Sequence, residues 1–213
     1  MGDTAASDGQ GSLRRQWRQL KGAIEPWGRS GAVATLLACL LVAACSPAYD
    51  WRDTRAAGGE YWVQLPARPA AMTRRIHLES FEVDMTMQGA KVEDNAFTVA
   101  MVPLPAQAAE AAGLSPERIL AAMREQMLRN IGAPPGAPSQ AATVAVVDAN
   151  GRKTGAVQWQ SIAARGSGRH AAMELRGRFG LWRGHALQIV AVGPALDPER
   201  ASYFLDSLRL VER

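Results

Sequence analysis

Residues 185–211 read HALQIVAVGPALDPERASYFLDSLRLV, and the change of period inside this stretch decides the kind of fold the chain can make. His185 to Gly193 is a strand pattern entered from a turn at Arg183-Gly184. Asp197 is then placed to cap a helix, Pro198 fits its first turn, and Ala201, Phe204, Leu205 and Leu208 recur on one side. A strand hands over directly to an amphipathic helix, which is the grammar of an α+β chain.

Working outward, the preceding sequence is strand after strand. AAMELRGRFGLW (171–182) alternates Met173, Leu175, Gly177, Phe179 and Leu181 against Glu174, Arg176 and Arg178. GAVQWQSIAAR (155–165) sets Val157 and Trp159 on one face, and ATVAVVDANG (142–151) ends in the tight-turn pair Asn150-Gly151. Nearer the N-terminus, YWVQL (61–65) is a short strand closed by Pro66 and Pro69, and RRIHL (74–78) follows it. FEVDMTMQGAKV (81–92) puts Phe81, Val83, Met85 and Met87 on one buried face. Glu93–Asn95 turns the chain into AFTVAMVPL (96–104). One helix interrupts the series. Ser115 is its N-cap, Pro116 its first residue and Gly132 its stop, with Ile119, Leu120, Met123, Met127, Leu128 and Ile131 on one stripe. The methionines of that stripe read as core packing. The expectation is an α+β fold: an antiparallel meander of about six to seven strands carrying two packed helices.

The ending Asp206-Ser207-Leu208-Arg209-Leu210 resembles the D-S-[FL]-[KR]-[LI] motif that closes the C-terminal helix in the PsbP-like group of α/β/α sandwich domains. The resemblance covers roughly residues 60–211. It implies a PsbP-like sandwich, and a binding or accessory scaffold in place of a reaction.

The N-terminal 44 residues are of another kind. The basic groups Arg14, Arg15, Arg18, Lys21 and Arg29 precede an uncharged run from Ser30 to Tyr49, the order of a secretory signal. The apolar centre, Ala32 to Val42, is short beside the roughly 20 residues of a spanning helix. Val42-Ala43-Ala44-Cys45 resembles the lipobox of bacterial lipoproteins. That resemblance implies cleavage between Ala44 and Cys45, a diacylglyceryl group on the Cys45 thiol, and Ser46 as a residue compatible with outer-membrane sorting. An uncleaved anchor spanning Ser30 to Tyr49, and an unmodified cysteine in a cleaved signal sequence, are the rival readings. SLRRQWRQLKG (12–22) is similar to a twin-arginine signal but lacks the usual hydrophobic pair after the arginines, and an annotated start too far upstream also accounts for the long leader. The chain therefore divides into a signal peptide at 1–44, a lipidated tether at 45–60 with an ordered piece around Tyr49 and Trp51, and the folded domain at 61–213.

Composition narrows the function classes. Cys39 and Cys45 are the two cysteines, so no disulfide or cysteine metal cluster can form after residue 45. The formal charge of +4 divides evenly: residues 1–44 hold five basic and three acidic groups and the remainder nineteen and seventeen, +2 each. A balanced body of this kind argues against nucleic acid as a partner.

The chemistry-bearing residues form no motif. His77, His170 and His185 show no helical i, i+4 pair, so no metal site is expected. Ser167, in RGSGRH (165–170), falls between two strands and not at a nucleophile elbow. Glu82, Asp84, Glu93 and Asp94 read as solvated strand and turn carboxylates. Arg165, Arg169, Arg176, Arg178 and Arg183 could make a basic patch towards anionic lipid, or pair across strands with acids such as Glu174. Trp182, beside a hairpin turn, is a candidate interaction residue. With no catalytic residues and no cofactor expected, the chain reads as a non-enzymatic lipoprotein of the cell envelope. It would be lipid-anchored at the periplasmic face of the outer membrane, acting as an accessory or binding module with an envelope protein as a compatible partner. A periplasmic enzyme and a hydrophobic-ligand carrier are the alternatives.

Overall fold

The computed structural model describes residues 48–78, 81–104, 115–168 and 171–212, without the side chains of Leu78 and Phe81. Ala44, Cys45, Cys39, Arg169 and His170 lie outside the described residues, as does the side chain of Phe81 expected on the buried face. Residues Ala48–Arg213 form one compact unit with its own core.

Ten strands and two helices follow in the order β1 (Arg52–Arg55), β2 (Tyr61–Leu65), β3 (Ala70–Leu78), β4 (Phe81–Val92), β5 (Asn95–Pro103), α1 (Pro116–Asn130), β6 (Ser139–Val147), β7 (Lys153–Gly166), β8 (Met173–Trp182), β9 (His185–Gly193), α2 (Pro198–Asp206) and β10 (Arg209–Val211). All ten strands join one sheet, in the order β1-β2-β10-β6-β7-β8-β9-β5-β4-β3, curled into a half-barrel.

This overturns the expected six-to-seven-strand meander in a PsbP-like sandwich. The sheet is mixed, because β10 runs parallel to β6 while pairing antiparallel with β2. The motif read as a helix end is in fact a helix stop followed by a strand. Helix α2 ends at Asp206, the Ser207 hydroxyl donates to the Phe204 carbonyl at 2.7 Å, and the Gln64 amide donates to that hydroxyl at 3.0 Å. Leu208, Leu210 and Val211 are buried. Part of the stretch expected as a tether is also strand: β1 pairs with β2 from Arg52↔Leu65 to Arg55↔Trp62. Strands of three or four residues are too short to announce themselves by period, so only their pairing partners reveal them.

The local signals at both helices are realised in the structure. The Ser115 hydroxyl accepts from the Arg118 amide at 3.3 Å, and Asp197 Oδ1 accepts from the Glu199 and Arg200 amides at 2.8 and 3.1 Å, satisfying first-turn donors that have no helical partner. The Arg183-Gly184 turn has both residues at positive φ, 45° and 74°, the geometry a two-residue hairpin prefers.

The helices lie on opposite faces of the sheet. Along β9, Leu187, Ile189 and Ala191 join the core under α2, whereas Ala186 and Val190 join the core under α1. The α2 face is closed by large side chains, including Phe97 against Phe204 with ring centroids 5.4 Å apart and Trp159 laid over Gly180. Tyr49 and Trp51 complete that face, with the Arg200 guanidinium 4.0 Å from the Tyr49 ring centre.

Candidate functional site

Helix α1 packs chiefly on β8 and β9, and its Arg124 reaches the Gln160 side chain of β7 at 3.2 Å. Beyond its flank, β3 and the Met85–Met87 stretch of β4 are only partly covered. Opposite partners in a ladder share a face, and one row on the α1 side runs Met72, Met87, Ala100, Gln188 and Phe179 across β3, β4, β5, β9 and β8. Strand β4 buries Val83 on this side, but Met85 and Met87 are only half-buried; further along it buries Ala90 and Val92 instead. The result is an open cleft of about 1030 Å³ between α1 and the β3–β4 end of the sheet.

Met85 and Met87 meet Met123 and Met127 of α1 across this cleft. Methionine side chains are flexible and polarizable, suited to irregular apolar contact. Gln188 is 6% exposed, lines the same cleft, and its amide has no hydrogen bond among the described residues. Its amide atoms are not among the buried unpartnered ones, and an occupant that sealed them without offering a partner would cost about 1–3 kcal/mol. Around the opening stand four arginines, Arg74, Arg75, Arg118 and Arg129, against one carboxylate, Glu125. Glu125 is already engaged, with the Arg124 guanidinium at 3.5 Å and the Gly136 amide at 3.3 Å. Arg75 is bound in a fork to Asp84, at 3.0 and 3.3 Å, and the Arg75 hydrogen bond and charge hold the Asp84 carboxyl below its ordinary range. Arg74 is exposed and has no ion-pair partner among the described residues.

The residues singled out in the sequence fall elsewhere or serve the fold. His77 stands at the cleft rim, exposed, 3.2 Å from Glu82; His185 sets Nδ1 3.0 Å from the Arg183 carbonyl. The two are not brought into one pocket, and among the described residues no group of three or more His, Cys, Asp or Glu could hold a metal. The loop at Ser167 has a structural use. Its backbone amides, Ser167 to the Gly132 carbonyl at 3.5 Å and Gly168 to the Ile131 carbonyl at 2.9 Å, satisfy the end of α1. Gly166 permits that approach, because a Cβ there would stand 2.0 Å from the Ile131 carbonyl oxygen.

The arginine patch is largely consumed by pairing. Arg165 meets Glu174 at 3.0 Å, and Arg178 binds Asp206 and the Leu205 carbonyl (3.0 Å), placing a cation at the C-terminal end of α2. Trp182 is half-buried against the α2-side core instead of standing free, with Arg183 5.6 Å from its ring centre. Lys91 pairs with Asp94 at 3.4 Å, and Glu93 occupies the positive-φ position of its turn.

Gln188 and Arg74 escaped the sequence reading. Gln188 had a signal, a single amide within HALQIVAVG. The methionines had one too, at alternate positions on β4 and four apart on α1, but period alone does not say whether such a stripe is sealed. No family model matches the chain, and no curated protein matches it. Among the described residues no helix is long and apolar enough to cross a membrane.

Proposed function

We propose that the protein is a membrane-anchored lipoprotein of the cell envelope whose folded unit is a non-catalytic binding module, with the cleft between α1 and the β3–β4 end of the sheet as its ligand site. The observation that carries the binding role is the open cleft with Met85, Met87, Met123 and Met127 in its lining and the Gln188 amide in its wall. The cleft combines an apolar patch of Ile76 and four methionines with charged and amide side chains, and small-molecule sites pair apolar walls with placed polar groups in this way. Its volume stands at the upper end of the ~300–1,000 Å³ typical of such sites, which favours a carrier of an apolar ligand over a simple protein adaptor. Anchorage is supported by Val42-Ala43-Ala44-Cys45 and the basic, then apolar, order before it. A thioether lipid with a further acyl chain would hold the protein firmly, since each buried CH₂ adds about 0.8 kcal/mol. Cys45 would then be three residues from Ala48, about 11 Å of extended chain at most.

Two measurements test the two halves. Cys45→Ala, or globomycin treatment, is expected to leave uncut precursor in the membrane, and unchanged processing refutes lipid anchorage. Native mass spectrometry of the soluble domain, residues 46–213, is expected to show a co-purifying apolar molecule that Met87→Trp expels; a protein that binds no apolar probe refutes the carrier.

His77 lines the cleft and pairs with Glu82, which does not line it; this pair is the feature that speaks for an enzyme, since a histidine beside an acid can move a proton. Both side chains are exposed, at 78% and 53%, and no third described group orients the imidazole. His77→Ala is therefore expected to leave ligand binding unchanged.

A further inference from the structure

Resting on the carrier reading, we infer that the cleft selects a single-chain lipid with an anionic head, namely a lysophospholipid, and that Gln188 binds the carbonyl linking its chain to the head. Three observations converge on this class. The floor is methionine, which fits one flexible chain. The opening carries Arg74 and Arg129 beside one carboxylate, Glu125, which is already taken up by Arg124 and the Gly136 amide, while Arg75 is neutralised by Asp84. Arg74 projects from the α1 face of β3 with no partner of its own among the described residues, and a guanidinium matches a phosphate with two parallel hydrogen bonds.

Gln188 adds the third requirement. A purely hydrocarbon occupant would seal its amide with nothing to bond, at a cost of about 1–3 kcal/mol. A ligand with a carbonyl inside its apolar length removes that cost. The spacing suits a long molecule: Gln188 and Arg74 are three strands apart and offset by two residues, about 16 Å between backbones along the sheet. The occupant therefore needs a charge at one end, a hydrogen-bonding group further in, and a chain to cover Met85 and Met87.

The test uses the soluble domain, residues 46–213, and three probes below their micellar concentrations, followed by native mass spectrometry and calorimetry. The probes are 1-palmitoyl-lysophosphatidylglycerol, 1-monopalmitoylglycerol, which keeps the linkage but lacks the charge, and palmitate, which keeps a charge but lacks the inner carbonyl. The lysophospholipid is expected to bind one per domain, at least about tenfold more tightly than either comparator, a difference of ~1.4 kcal/mol. Arg74→Gln, an exposed position, should erase the preference over monopalmitoylglycerol. Gln188→Leu should erase the preference over palmitate without lowering Tm. Equal binding of monopalmitoylglycerol overturns the charge selection, and equal binding of palmitate overturns the role of Gln188; in both cases an apolar carrier survives. Failure of all three probes to bind overturns the carrier reading itself.

Discussion

The two faces of the sheet are built from similar apolar residues but finish differently. Under α2, a helix of nine residues, aromatic rings close the centre of the face: Phe97 against Phe204, Trp159 over Gly180, Trp51 with its ring centre 4.7 Å from that of Tyr203. Under α1, a helix of fifteen residues, the ends are tightly held but the flank is open, and the exposed side is methionine. Helix length therefore does not decide coverage. What decides it is the number of strands in reach, and a curled sheet of ten strands offers more surface than two helices can seal.

The contrast can be broken or sharpened by substitution. On the closed face, Phe204→Ala removes a fully buried ring packed on Phe97 and should cost about 3–5 kcal/mol in chemical denaturation. Gly180→Ala should be comparably severe, since the new Cβ would sit 2.2 Å from the Trp159 ring; if the domain keeps its stability, that packing is wrong. Arg178→Met leaves the end of α2 without its cation and should cost ~1 kcal/mol. On the open face, Met87→Ala should cost less than about 1 kcal/mol, because the side chain is only half-buried, while lowering the affinity for an apolar ligand. A Met87→Ala penalty as large as that of Phe204→Ala would show that the two faces are equally sealed.

The smallest effect belongs to the exposed pair Arg75–Asp84 beside the cleft. Because the folded-state pKa of Asp84 is lowered, the pair's contribution is present above the ordinary carboxylate range and is lost as pH falls through the lowered value. Arg75→Gln should move the Asp84 titration, followed by carboxyl NMR, back up towards the ordinary carboxylate value.

Much of the local structure was legible because its causes are local. Ser115 and Asp197 cap the helices by their own hydroxyl and carboxylate, and Arg183-Gly184 turns because both residues sit at positive φ. Strand β10 was not legible in that way. Leu208 to Val211 continues the apolar spacing of α2, and nothing within those four residues says that Arg209 will lie beside Ala145. The site divides similarly. Chain pattern marks Met85, Met87, Met123 and Met127 as apolar stripes, but whether a stripe is sealed depends on which other element arrives above it.

The sequence by itself determined the two helices, their caps, the hairpin turns, the long strands and the uncharged run before Cys45, since each depends on residues within a few positions of one another. Only the tertiary structure decided the parallel place of β10, the curl of the sheet, the incomplete covering of Met85 and Met87, and the place of Gln188 in the cleft wall. Those follow from contacts between distant segments, and in particular from α1 packing chiefly on β8 and β9, away from the edge strand β3.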